Sequence, residues 1–132
     1  MRILMGCLTA VVLVPLAGAL WLFVPPIWEE NARLDEFHNR VSAYPLPPKT
    51  QVSDSDADIS RAANTNGDYC EYMVRLTLQT ELSPADIQGY YGKAAVAGVS
   101  NPAQISAESP ASGSVVVEFS DIDSNPLDLR CI

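Results

Sequence analysis

The stretch Tyr69–Thr80, "YCEYMVRLTLQT", decides the fold class. Its apolar residues fall at every second position: Cys70, Tyr72, Val74, Leu76 and Leu78 share one face. Glu71, Arg75, Thr77 and Gln79 share the other. A period of two is the mark of a half-buried β-strand, because successive side chains of an extended chain point to opposite faces. Such a strand needs partners, and downstream segments with related patterns supply them. "AQISAES" and "SVVVEFS" read as two strands around the turn "PASG", with Val115, Val117 and Phe119 on one face and Val116, Glu118 and Ser120 opposite. "PLDLRCI" alternates Leu127, Leu129 and Cys131 against Asp128 and Arg130, and reads as a closing strand.

Between these strands lies one helix signal, "LSPADIQGYYGKAAVAGVS". Ser83 is a good N-cap, Pro84 suits the first helical position, and Asp86 complements the positive helix start. Ile87, Tyr90, Tyr91 and Ala94 make one apolar face, which predicts a helix over Ser83–Ala97 closed by Gly98. Gly89 and Gly92 weaken it by about 1 kcal/mol each relative to alanine, and would suit close packing against a sheet. The tyrosines read as core and rim packing. "GYYGK" lacks the length and the Ser/Thr of a phosphate loop.

The N-terminal end is of another kind. Ile3 to Val24 is a run of 22 uncharged, mostly apolar residues, about 33 Å long as a helix and sufficient for a hydrocarbon core of about 30 Å. Pro15 is tolerated in a membrane span. Trp21 and Trp28 lie near its far end, where indole rings favour the interface. Arg2 precedes the run, while Glu29 and Glu30 follow it, so the remainder is expected outside the cytoplasm. A cleaved signal peptide is the rival reading, because Ala17 and Ala19 in "LAGAL" fit a peptidase site. Against it, the apolar run continues through "LWLFVPPIW". Glu29 to Ala43 reads as a second helix after a break at Pro25–Pro26, with Leu34, Phe37 and Val41 on one stripe. "YPLPPKT" then runs extended as a linker.

Export bears on the cysteines. Cys7 lies in the apolar run as a small filler, and prenylation of Cys131 is ruled out because that signal needs the cysteine four residues from the end. Cys70 and Cys131 remain, an even pair on apolar strand faces in an oxidising compartment. A disulfide joining two adjacent strands is therefore expected.

Few features carry chemistry. Asp54, Asp56 and Asp58 have the spacing of a calcium loop, but Ile59 stands where its glycine belongs and Thr65 where its glutamate belongs. Asn64, Asn66 and Asp68 around Gly67 signal a turn before they signal a cation site. The segment is expected to form a mobile loop, or a short strand and a tight turn. His38, the one histidine, sits among charged residues as a surface side chain. No catalytic, cofactor-binding or metal site is expected. Seven of the eight basic residues and all sixteen acidic ones follow the apolar run, and that acidic surface disfavours nucleic acid.

The order "PLPPKT", "NGDYCEY", "LSPADIQGYY" resembles a group of uncharacterised bacterial envelope proteins with one N-terminal span and a small α+β domain containing a Cys-x-Tyr strand. The resemblance covers Pro45 to Tyr91. It implies a cell-envelope location and carries over no site residue.

These readings give an α+β fold: an N-terminal transmembrane helix, then a small antiparallel sheet of four or five strands with one packed helix. Residues 1–28 form the membrane anchor or signal peptide, 29–49 the juxtamembrane helix and Pro-rich linker, and 50–132 the extracytoplasmic domain. The expected role is a membrane-anchored, non-catalytic interaction or accessory module, with the membrane and an envelope protein as its partners. A small acid/base enzyme of the envelope, or an ion- or ligand-binding domain using the acidic loop, are the alternatives.

Overall fold

The computed structural model describes residues 2–63, 69–94, 96, 104–124 and 129–131, with side chains in the N-terminal helix from Val11 onward, apart from 22, 23 and 26. The elements are helix α1 (Arg2–Ala43), strands β1 (Gln51–Arg61) and β2 (Tyr69–Gln79), helix α2 (Pro84–Gly92), strands β3 (Ile105–Ala111) and β4 (Ser114–Ser124), and a final 3-10 turn, Leu129–Cys131. The four strands form one antiparallel sheet in the order β1-β2-β4-β3.

Strand β2 is central, and its alternation becomes burial: Cys70, Tyr72, Val74, Leu76 and Leu78 are all buried. Its register against β4 sets Val74 opposite Phe119, Leu76 opposite Val117 and Leu78 opposite Val115. The inner face of the sheet is thus a continuous apolar surface. Two helices cover it. Helix α1 contributes Leu34, Phe37 and Val41, and α2 contributes Ile87 and Tyr91. Tyr91 meets Phe119 edge-on at 5.0 Å between ring centroids, a geometry favoured by the ring quadrupoles.

The start of α2 follows its sequence signals. The Ser83 side chain accepts from the Asp86 N–H while the Asp86 carboxylate accepts from the Ser83 N–H, a reciprocal capping box, with Pro84 in the first turn. The end does not follow. The helix stops at Gly92, five residues short of the expected Ala97, where the Ala94 N–H bonds the Tyr91 carbonyl at 3.0 Å and tightens the last turn. Gly89 is no close-packing device either, since a Cβ there would meet nothing within 4 Å. Gly98 lies outside the described residues.

Of the two readings of the polar segment, strand and loop, the strand holds and is longer than expected: Asp54–Asp58 lie in an eleven-residue edge strand, with a register shift between Val52 and Asp54. An edge strand needs little apolar surface, and β1 turns only Ala57 and Ile59 toward the core. Two further expectations are corrected. The Pro25–Pro26 break is absent, and α1 runs unbroken to Ala43. Each proline removes one N–H from the helical ladder, but the turns that follow are fixed by the packing of Leu34, Phe37 and Val41. Finally, Leu129–Cys131 is a 3-10 turn and not a strand, so the sheet has four strands. Cys7 (side chain), the Asn64–Asp68 turn and Leu127 lie outside the described residues.

The bridge itself is present. Cys70 and Cys131 form a disulfide with a Cα–Cα distance of 4.9 Å, both residues fully buried. It ties the final turn to the beginning of β2. Beside it, Arg33 of α1 pairs with Asp123 of β4, and Arg130 donates to the Asn31 side chain at 2.8 Å. Chain end, sheet and helix are joined at one corner.

On the other side of that corner α1 leaves the head. Val11, Val12, Leu13, Val14, Leu16, Leu20 and Trp21 are 51–84% exposed. Among the described residues no helix is long and apolar enough to cross a membrane.

The disulfide generates a prediction. It closes a separation of 61 residues, for which the chain-entropy model gives about 4 kcal/mol. Cys70→Ser or Cys131→Ser should lower unfolding free energy by about 2–5 kcal/mol in denaturant titrations. Non-reducing peptide mapping should recover the two cysteine peptides linked, and free thiols at both positions would refute the bridge.

Candidate functional site

A cleft runs along α2. Tyr44 follows the end of α1, and Tyr90 meets it edge-on at 6.3 Å between centroids. The Tyr90 hydroxyl donates to the Pro45 carbonyl at 3.1 Å, which fastens the start of the Pro-rich segment to the helix. Between them opens a cleft of about 530 Å³ lined by Tyr44, Ala85, Asp86, Gly89, Tyr90, Lys93 and Ala94. The spacing explains the lining. Asp86, Gly89, Tyr90 and Lys93 recur at three- and four-residue steps, so they share one side of α2. Gly89 leaves the space that a larger side chain would fill.

Among the residues lining the cleft, Asp86 is tied to the start of the helix. The Ser83 hydroxyl, 2.6 Å from the Asp86 carboxylate, and then the Ser83 backbone N–H hold that carboxyl below its ordinary value. It remains ionised as a capping group. Behind the cleft, burial pushes the Tyr91 phenol up to about 12, with smaller contributions from Tyr90 and Tyr44. The Tyr91 hydroxyl is buried without a hydrogen-bond partner among the described residues, as is that of Tyr72. Tyr91 is therefore a core residue and Tyr90 a rim residue.

The open face of the sheet offers a second, smaller depression of about 170 Å³, lined by Glu71, Met73, Gln104, Ser106, Glu118 and Ser120. Its two carboxylates come from neighbouring strands. Glu71 lies opposite Ile122 and Glu118 opposite Arg75, which places their Cα atoms about 14 Å apart. Glu118 is engaged by Arg75, whose Nε donates to it at 2.9 Å, so its charge is already paired.

The remaining sequence candidates are not brought together. Asp54, Asp56 and Asp58 share the outward face of β1, where alternate residues stand about 7 Å apart along a line. They cannot wrap a cation as a loop does. His38 is half-buried, with its Nε2 2.6 Å from the Ser55 hydroxyl. Among the described residues no group of three or more His, Cys, Asp or Glu side chains is placed to hold a metal. Tyr44 was not singled out by the sequence. Its signal is an aromatic residue just past a helix end and just before "PLPP", the position from which a ring folds back on a neighbouring helix.

No family model, curated protein or solved structure matches the chain.

Two predictions come from these surfaces. In alkaline spectrophotometric titration, Tyr91 should give a late ionisation step, near pH 12. Its raised value favours the protonated fold, so the associated stability is complete below about pH 10 and is lost as pH rises through about 12. Tyr91→Phe should remove the late step and leave stability unchanged or slightly higher, because the hydroxyl is buried unpaired. Calcium titration of the protein should show no saturable binding below about millimolar concentration. Saturable binding abolished by Asp56→Asn would overturn this reading of the acidic strand.

Proposed function

We propose that this chain is a membrane-anchored extracytoplasmic module that acts by binding, in the class of interaction or accessory proteins, and not by catalysis. The observation that carries the reading is the division of α1. Its C-terminal turns are built into the core through Phe37 and Val41, each 1% exposed, while its apolar residues from Val11 to Trp21 stand uncovered. A contiguous apolar helix surface of this kind requires something to cover it. The uncharged run Ile3–Val24 has the length of a bilayer core, and the single positive charge ahead of it favours a head outside the cytoplasm. A buried disulfide suits the same compartment.

The binding part of the proposal is supported by the character of the surfaces. Among the described residues they are open to solvent, and the cleft along α2 is rimmed by two tyrosines. Amphipathic rings of this kind recur at protein interfaces.

The anchor is tested by fractionation. The protein should stay with membranes through high-salt and carbonate washing, because salt removes only screened electrostatic contacts. Protease added outside the cytoplasmic membrane should reach Glu29 onward. Intact mass should include the apolar run. A soluble main species beginning at Leu20, after the Ala17–Ala19 site, would replace the anchored module with a secreted one.

A further inference from the structure

Trp21 and Trp28 are the chain's two tryptophans, and both project from α1, 84% and 69% exposed. Seven residues is nearly two turns, so their side chains differ by only about 20° around the axis. The residues that α1 buries against the head, Glu30, Leu34, Phe37 and Val41, form a second stripe. At about 100° per residue, its centre lies about 160° around the helix from the tryptophans. One unbroken helix thus carries its head on one side and its indoles on the other.

We infer that α1 leaves the bilayer tilted toward its tryptophan side, so that Trp28 sits in the lipid headgroup layer and the open face of the sheet is turned away from the membrane. This rests on the anchored reading above and adds its geometry. Length favours a tilt. The uncharged residues continue past Val24 to Trp28, 26 residues from Ile3 or about 39 Å, against a hydrocarbon core of about 30 Å. An over-long apolar helix relieves the mismatch by tilting. Upright, with Ile3 at the inner boundary of the core, the helix would lift Trp28 about 7 Å above it, to the outer edge of the headgroup layer.

The direction of tilt is set by the two stripes. Leaning toward the head would press the sheet, attached from Glu30 onward, into the bilayer. Leaning the other way lowers the Trp28 indole into the layer that amphipathic rings favour, with Trp21 deeper on the same side. The sheet packs on α1 by its inner face, so this lean presents the opposite face, with Glu71, Arg75 and Glu118, to the surrounding compartment.

The two tryptophans make the test direct. The full-length chain is reconstituted into phosphatidylcholine vesicles as the single-tryptophan variants Trp21→Phe and Trp28→Phe. Fluorescence quenching is then measured with aqueous iodide and with lipids brominated either near the headgroup or at mid-chain. Trp28 should be quenched most by the shallow bromolipid and at least several-fold less by iodide than free tryptophan. Trp21 should respond to the deeper bromolipid. In the double Trp→Phe background, a Met73→Trp reporter on the open face should be quenched by iodide and by neither bromolipid. Iodide quenching of Trp28 at the level of free tryptophan, with Trp21 still lipid-quenched, would leave the anchor in place and overturn the tilt. Bromolipid quenching of the Met73→Trp reporter would overturn the orientation. Quenching of both native tryptophans by iodide alone would overturn the anchored reading itself.

Discussion

The structure depends on the seating of α1 against β2. Strand β2 is central to the sheet and presents five buried side chains in a row, from Cys70 to Leu78. An apolar face of that size cannot be left to water, and the nine-residue α2 is too short to cover it alone. Leu34, Phe37 and Val41 of α1 complete the cover. The head is small, and small domains bury a lower fraction of their surface than large ones. The last turns of α1 are therefore part of the core, and the disulfide, the Arg33–Asp123 pair and the Arg130–Asn31 bond hold the corner where helix, sheet and chain end meet.

Much of this arrangement was legible from residue patterns. Strands β2 and β4 alternate cleanly because they are central, with one face buried along their length. The cap of α2 was legible because Ser83, Pro84 and Asp86 act within four residues of one another. The stripe Leu34–Phe37–Val41 was legible as a helix, though not as core. Strand β1 was only half legible because an edge strand needs few apolar residues, and its Ser and Asp positions read equally well as loop. The end of α2 escaped because Lys93 and Ala94 are sound helix formers, and propensity is a weak guide to where a helix stops. The continuity of α1 through Pro25–Pro26 escaped because local proline rules omit the tertiary packing that fixes the turns beyond.

The candidate surfaces were less legible than the fold. Tyr90 was placed correctly at the rim of the core, but the cleft exists only because Tyr44 returns from 46 residues earlier in the chain to stand beside it. The two carboxylates of the open face make the same point. Acidic residues are plentiful in the sequence, and only the strand register shows that Glu71 and Glu118 border one depression, the second of them paired with Arg75. Which acidic residues meet is a property of the register rather than of composition.

The acidic strand has a consequence for how two copies of this molecule meet. Strand β1 is a sheet edge of eleven residues without proline or glycine, the kind of edge that recruits another strand. If two such edges met antiparallel about Asp56, that residue would face its own copy, and Asp54 would face Asp58 in both directions. Like charges set directly opposite across strands are destabilising. The shift in register beside Val52 disturbs the straight run of backbone donors and acceptors as well. The residues that look like a failed calcium loop thus disfavour edge-to-edge pairing between neighbouring molecules.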